Sequence, residues 1–296
     1  MLIESFIKYI RYELNLSAYT VLSYNNDLNQ FKAYLTRGVD DFEPISATAG
    51  DIRAWLVHLA AQKDVASTIR RKLQALRAFY KYLQQKGLVV SNPAKEVELA
   101  KMKKRLPECV RVSNVDALFS EPVDEDDFEQ VRDRLMLLMF YSTGIRRSEL
   151  IGLRDADVSD REFKVHGKRD KDRIVPFGEE LHLEIEKYRT LRAKAVCPVS
   201  EFFFIRKNGE QLYPTLVYRI VHEKLGEVNS GGKCSPHVLR HTFASVMLNN
   251  GAQLNSVKEL LGHESLAATQ VYTHITYSEL KTNYEHAHPR AIKKGG

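Results

Sequence analysis

Residues 162–177 read EFKVHGKRDKDRIVPF. Two short β-compatible runs, about 162–166 (EFKVH) and 173–177 (RIVPF), flank the polar turn GKRDKD, which is the pattern of a β-hairpin. The stretch makes the later part of the chain a mixed domain and not a purely helical one. Around it the apolar spacing predicts helices at about 113–119, 128–142, 179–192, 214–226, 236–250 and 253–261, and again near 276–286. Phe202 to Ile205 adds a candidate third strand. No internal repeat or low-complexity segment is visible.

Upstream of residue 90 the pattern is helical throughout. Ile3, Ile7, Ile10 and Leu14 fall at helical spacing. Ser17 can cap a second helix carrying Leu28, Phe31 and Leu35. Thr48 followed by Asp51 has the form of a capping box and opens a helix with Trp55, Leu56 and Leu59. Ser67 can cap a fourth, with Ile69, Leu73, Leu76, Tyr80 and Leu83 on one side and Arg70, Arg71, Lys72, Arg77 and Lys81 on the other. Gly87 stands where a helix end wants a residue at positive φ. Ser91-Asn92-Pro93 closes the pattern, because proline pushes the residue before it out of helical geometry. The run Lys101-Met102-Lys103-Lys104-Arg105-Leu106-Pro107 reads as an exposed basic linker. The expected organisation is a four-helix DNA-gripping domain over 1–90, a basic linker over 91–107, and an α+β domain over 108–296 that ends in a helix and tail.

Composition excludes several classes. Of 296 residues 44% are hydrophobic and 28% charged, as in globular proteins. No apolar run approaches the roughly 18 residues that span a bilayer, and Glu4, Lys8, Arg11 and Glu13 interrupt the N-terminus too often for a signal peptide. Cys109, Cys197 and Cys234 are few and scattered, which fits a reducing compartment and no disulfide framework. A cytoplasmic protein without membrane contact is expected. The net charge of +6 is unevenly spread: residues 1–106 hold 17 Lys+Arg against 10 Asp+Glu, leaving the remainder near neutral. That asymmetry points to nucleic acid at the first segment, although a solvated basic face explains it equally well.

Four clusters could carry chemistry. Thr143-Gly144-Ile145-Arg146-Arg147-Ser148-Glu149-Leu150 follows the apolar helix Leu135–Tyr141, which Gly144 breaks; alone, it is equally a joint with solvated arginines. Gly167-Lys168 opens the hairpin turn, where a lysine can reach a phosphate, but Lys171 and Arg173 lie nearby and the position is not singled out by itself. In Ser235-Pro236-His237-Val238-Leu239-Arg240-His241-Thr242-Phe243-Ala244, His237 and Arg240 share one helical face. Arg240 can grip a phosphate with a two-pronged hydrogen bond. His241 follows His237 at zinc-helix spacing, but Val238 occupies the place of the required glutamate, so His241 is assigned a packing role beside the site. The last cluster is Leu261-Gly262-His263 followed by Tyr272-Thr273-His274. Two arginines to hold a phosphate and its developing charge, histidine and lysine for protons, and a tyrosine nucleophile form a complete set for phosphodiester transfer. Neither an acidic metal cage nor a glycine-rich phosphate loop is visible, so no metal and no cofactor are expected.

The order Arg146, Lys168, His237, Arg240, His263, Tyr272 resembles the tyrosine recombinase (phage integrase) family, most closely its bacterial XerC/XerD type. The resemblance spans nearly the whole chain through the linker ending RLP, then TGIRRSEL, GKRDKDRIVPFG, HVLRHTFAS and LGHESLAATQVYTH; the ending His286-Ala287-His288-Pro289-Arg290 is similar to the XerC branch. It implies a mainly α fold with a small β-sheet, in which a SAM-like four-helix core-binding domain and a catalytic domain form a C-shaped clamp on DNA. Arg146 and Arg240 would bind the scissile phosphate, Lys168 would protonate the leaving 5′-oxygen, His237 would assist, His263 would hydrogen-bond the phosphate, and Tyr272 would become joined to the 3′-phosphate. Glu149 would support the first arginine. Arg147 stands where many relatives carry valine; Gly144-Ile145 selects Arg146 as the motif arginine. Arg70, Arg71, Arg77, Lys103 and Lys104 are the candidate DNA contacts.

The resemblance also implies double-stranded DNA as substrate, a tetramer built from this chain or with a second Xer-type recombinase, a Holliday junction, and work on the nucleoid in chromosome dimer resolution. A septal DNA translocase is a further partner common in the family that the residues do not reveal. The C-terminal helix, about 276–286, would dock on the neighbouring protomer. An integrase of a mobile element would share the chemistry, a DNA-binding protein without catalysis would share the basic surface, and a metal-dependent nuclease would need EDTA-sensitive cleavage.

Overall fold

The computed structural model describes residues 2–37, 44–99, 109–167, 172–195, 200–229, 231–262 and 277–290. The chain divides into two compact units, Met1–Arg105 and Leu106–Gly296. Among the described residues no helix is long and apolar enough to cross a membrane.

The first unit holds α1 (Leu2–Lys8) running into a π-helical turn (Tyr9–Glu13), then α2 (Ala18–Leu35), α3 (Ala49–Ala61) and α4 (Ala66–Gln85). Ser17 caps α2 by accepting from the Thr20 N–H. Thr48 and Asp51 form the reciprocal capping box of α3. The fourth helix starts earlier than its serine suggests, with Val65 at the cap and Ser67 inside it. In the first helix the deepest side chains are Phe6 and Ile10, while Leu14 is exposed, because the π-turn shifts the apolar stripe. Phe6, Phe31, Trp55, Leu76, Phe79 and Tyr80 build the core. Residues beyond α4 join it: Ala94 and Val97 are buried there. Arg77 donates from Nε to the Ala94 carbonyl (3.1 Å) and from Nη2 to the Val97 carbonyl (2.7 Å). Within 91–97, Asn92, Ala94 and Val97 are thus packed on the first unit, while the basic run 101–107 lies outside the described residues.

The second unit is organised around α6 (Phe128–Thr143), which is buried along almost its whole length. A helix apolar on all sides is stable only when surrounded, and α8 (Glu179–Ala195) and α10 (Pro236–Asn249) flank it. Asp127 caps its start, accepting from the Glu129 and Gln130 N–H groups. The helices α5 (Val112–Ser120), α7 (Arg147–Gly152), α9 (Pro214–Val228), α11 (Leu254–Leu261) and α12 (Tyr277–Ala287) complete the unit. Strands β1 (Glu162–Val165) and β2 (Arg173–Pro176) pair antiparallel, with Glu162 opposite Pro176 and Val165 opposite Arg173. Phe202 and Ile205 make only isolated bridges, to Arg154 and Gln211, so the expected third strand does not form. Phe203 and Phe204 instead enter the core as an edge-to-face pair with centroids 4.9 Å apart.

Within the single chain, α12 packs against α10, α11 and β2. Tyr284, Ala287 and His288 are buried there beside Phe243 and Met247.

Candidate active site

The site begins where α6 ends. Gly144 terminates that helix at φ +62°, the left-handed conformation that glycine adopts at little cost. It is also crowded: a Cβ on Gly144 would lie 2.6 Å from Phe243 and 2.7 Å from Leu261. Only glycine lets α10 and α11 close on this turn. Ile145 is then buried, and Arg146 stands at the cap of α7 in extended geometry.

Arg146 is held by Glu149, three residues on. One carboxylate oxygen accepts from the Arg146 backbone N–H (2.9 Å) and the other from its Nη1 (2.6 Å). A second guanidinium serves the same carboxylate: Arg173 on β2 donates from Nη1 (3.0 Å) and Nη2 (2.8 Å). Burial by itself would raise the Glu149 pKa, but Arg173 and then Arg146 overcome it and hold the carboxyl at about 2.

Three arginines then meet the C-terminal end of α11. Arg173 Nε donates to the Leu260 carbonyl (2.8 Å), Arg240 Nη2 to that of Leu261 (2.6 Å), and Arg146 Nη2 to that of Gly262 (2.6 Å). The last carbonyls of a helix have no partner within it and carry the negative end of the helix dipole, so guanidinium groups suit them. Arg240 also reaches the Gly144 carbonyl with Nη1 at 2.5 Å, which ties the end of α6 to the end of α11. Gly262 itself closes α11 at φ +61°.

The electrostatics are unbalanced. Among the described residues, the three guanidinium groups have one nearby carboxylate, Glu149, which Arg146 and Arg173 bond directly. Desolvation and then Arg146 push the Arg240 pKa down to about 10, with Glu149 opposing them. His237 lies on the outward face of α10, and its pKa is lowered by desolvation first and then by Arg147, Arg240, His241 and Arg146. A locus with such a cation excess is completed by an anion, and planar guanidinium groups match the oxygens of a phosphate. Arg146 is the accessible one, with its side chain 35% exposed, whereas Arg240 is only 6% exposed.

The family model described as phage integrase family matches residues 109–279, and that of the phage integrase N-terminal SAM-like domain matches residues 3–87. The chain belongs to the phage integrase family. The tyrosine recombinase XerC of Syntrophus aciditrophicus is 37% identical over 311 residues, covering 100% of this chain and 99% of the relative. That of Pelobacter propionicus is 38% identical, covering 98% and 95%. Among solved structures, the XerH site-specific recombinase bound to palindromic difH substrate superposes with a TM-score of 0.70 at 19% identity, covering 96% of this chain and 80% of the other. A lambda integrase dimer bound to a core site gives 0.67 at 17%, covering 93% and 98%. At these identities the two structures speak for the integrase fold.

Within that fold the described residues bring together Arg146, Glu149, His237 and Arg240. Lys168, His263 and Tyr272 lie outside the described residues, as do Lys103 and Lys104. Arg147 turns aside and donates to the Pro214 carbonyl (3.3 Å). His241 is exposed and not packed: the helical repeat that buries Arg240, Thr242 and Phe243 sends His237 and His241 outward together. Its effect on the site is electrostatic, through His237.

The candidate DNA contacts on α4 take partners inside their own unit. Arg71 pairs with the buried Asp27, and Arg77 braces the 94–97 segment. Lys72 is buried, bonded to Asp64 (2.8 Å). Arg70 is half-buried. Sequence reasoning met Arg173 as a neighbour of Lys168 and gave it no role of its own. Its signal was strand alternation: Arg173 shares a face with the buried Val175, and Ile174 between them is exposed. An inward arginine requires an acceptor.

Proposed function

We propose that this chain is a site-specific DNA recombinase that cuts and rejoins strands through a 3′-phosphotyrosine at Tyr272. The observation that carries the reading is the convergence of Arg146 and Arg240, from two separate elements, at the end of α11 with Glu149 as the balancing carboxylate. The two guanidiniums would hold the non-bridging oxygens of the scissile phosphate and stabilise charge as it develops. The Tyr272 oxygen attacks phosphorus while the bond to the 5′-oxygen breaks. Lys168 supplies the proton to that oxygen, and His237, whose pKa is lowered by burial and then by Arg147 and Arg240, assists the transfer. The phosphodiester energy is retained in the phosphotyrosine, and a 5′-hydroxyl from the partner duplex releases it by the reverse step. His263, which directly follows the arginine-held Gly262, would hydrogen-bond the same phosphate.

In this reading the substrate is a double-stranded recombination site and the active form is a tetramer of this chain, alone or with a second recombinase, acting through a Holliday junction. The XerC names of the relatives favour chromosome dimer resolution on the nucleoid, in the cytoplasm, with a septal translocase as a further partner. The test is covalent trapping on a nicked suicide duplex carrying a candidate chromosomal recombination site, in EDTA, with wild type and Tyr272→Phe. A denaturation-resistant adduct in wild type alone is expected. An adduct in both would move the nucleophile elsewhere, and an adduct abolished by EDTA would replace the mechanism with a metal-dependent one.

A further inference from the structure

We infer that Arg173 is a positioning residue of the reaction, the group that fixes the phosphate-binding arginine Arg146 in place. The inference rests on the reading of Arg146 given above. Among the described residues the Arg146 guanidinium has two partners, the Glu149 carboxylate and the Gly262 carbonyl, and Arg173 bears on the position of both. It grips Glu149 with a two-pronged pair at 3.0 and 2.8 Å. It fixes the turn around Gly262 by bonding the Leu260 carbonyl at 2.8 Å and packing against the glycine, where an added Cβ would lie 3.0 Å from its Nη1. Arg173 thus joins strand β2, the start of α7 and the end of α11 at one planar group.

Geometry separates this role from catalysis. Three of the five N–H directions of Arg173 are spent on Glu149 and Leu260, and its side chain is 13% exposed against 35% for Arg146. It is closed to the substrate that Arg146 faces. Lysine cannot replace it, because a single ammonium cannot make the two-pronged pair and the third bond together. Without Arg173, Glu149 retains one guanidinium partner and the end of α11 loses one of three braces. A displacement of about 1 Å in a reacting group costs on the order of 100-fold in rate.

The experiment measures single-turnover formation of the covalent adduct on the nicked duplex described above, with DNA affinity and thermal unfolding recorded beside it. Arg173→Met and Arg173→Lys are each expected to slow adduct formation about 100-fold while binding the duplex as wild type does. Two further readouts distinguish positioning from mere support of the fold. On a duplex whose scissile phosphate is a neutral methylphosphonate, the charge that Arg146 must neutralise is gone, so the deficit of Arg173→Met relative to wild type should shrink. In a cycle with Glu149→Gln, the double variant should be no slower than Glu149→Gln alone, because both changes act through Arg146. Wild-type rates in both Arg173 variants, with Arg146→Ala inactive, would overturn the inference and leave the phosphate-binding reading intact. An equal deficit on both substrates, additive with Glu149→Gln, would also overturn it. Full activity in Arg146→Ala would instead remove the reading on which it rests. Should Arg173→Met fail to fold, Arg173→Lys carries the same comparison with the charge kept.

Discussion

Arg173 and Glu149, 24 residues apart in sequence, meet through two parallel hydrogen bonds of 3.0 and 2.8 Å in a site closed to water on most sides. The pair has a pH signature. The folded pKa of Glu149 is depressed to about 2 from an ordinary 4.5, so the stabilisation it supplies is complete above pH 4.5 and fades as pH falls toward 2. That shift corresponds to about 3 kcal/mol. Glu149→Gln should therefore be less stable than wild type at neutral pH by about 3 kcal/mol, and the difference should close in acid. Denaturant unfolding of both proteins between pH 7 and pH 3 measures it. A difference that does not change with pH would show that ionisation of Glu149 is not what the arginines stabilise.

Gly144 should be far less tolerant than another glycine of similar backbone geometry. Gly144→Ala combines left-handed strain, about 1–2 kcal/mol, with a Cβ forced against Phe243 and Leu261, which adds about 1–3 kcal/mol. Gly87, at φ +70°, has nothing within 4 Å of its hypothetical Cβ, so Gly87→Ala should carry the strain alone. Thermal unfolding of the two variants gives the comparison. Equal losses would mean that the closeness of α10 and α11 to the Gly144 turn is not energetically important.

The reading of the sequence succeeded at several places where one local signal governed one local structure. The capping box at Thr48 and Asp51, the hairpin pairing of 162–165 with 173–176, and the break at Gly144 each depend on a few adjacent residues. Spacing also placed His237 one helical turn from Arg240, though it could not tell which outward residue of α10 stays out: His241 needed the tertiary burial of its neighbours to be read correctly. Arg77 and Arg173 were opaque for the same reason. Nothing local says that a basic residue will turn to a carbonyl 17 or 20 residues ahead, or to a carboxylate 24 behind. An arginine on a basic helix face looks the same in sequence whether it faces phosphate or braces its own backbone.

That ambiguity at Arg77 is resolved by salt. A side chain that neutralises a DNA phosphate contributes about one unit to the dependence of log affinity on log salt. Arg77 spends its Nε and Nη2 on Ala94 and Val97, so Arg77→Ala should leave that slope as in wild type while lowering the melting temperature. Titrations of labelled duplex at several salt concentrations, with a parallel melt, decide it. A slope reduced by about one with an unchanged melt would return Arg77 to the DNA surface.

The docking of α12 on its own chain should weaken in mild acid. His288 is fully enclosed, stacked on Tyr284 with ring centroids 5.3 Å apart and set edge-on to Tyr141 at 5.4 Å. Burial pushes its pKa down to about 3; the backbone at Tyr141 opposes the shift and Arg290 adds to it. The ring is therefore neutral when packed and takes up a proton when freed. Its folded pKa lies below the unfolded value of 6.5, so the unfolded form binds more protons between those values, and docking strength is complete above pH 6.5 and declines as pH falls toward 3. Arg290 anchors the same segment through Glu180 and Asp116 and lies 4.6 Å over the Phe119 ring. Hydrogen-exchange protection across 281–288, corrected for intrinsic rates, should drop between pH 7.5 and 5.5 in wild type. It should hold steady in His288→Phe, which keeps an aromatic ring and removes the titration. Parallel loss of protection in both proteins would place the pH sensitivity elsewhere.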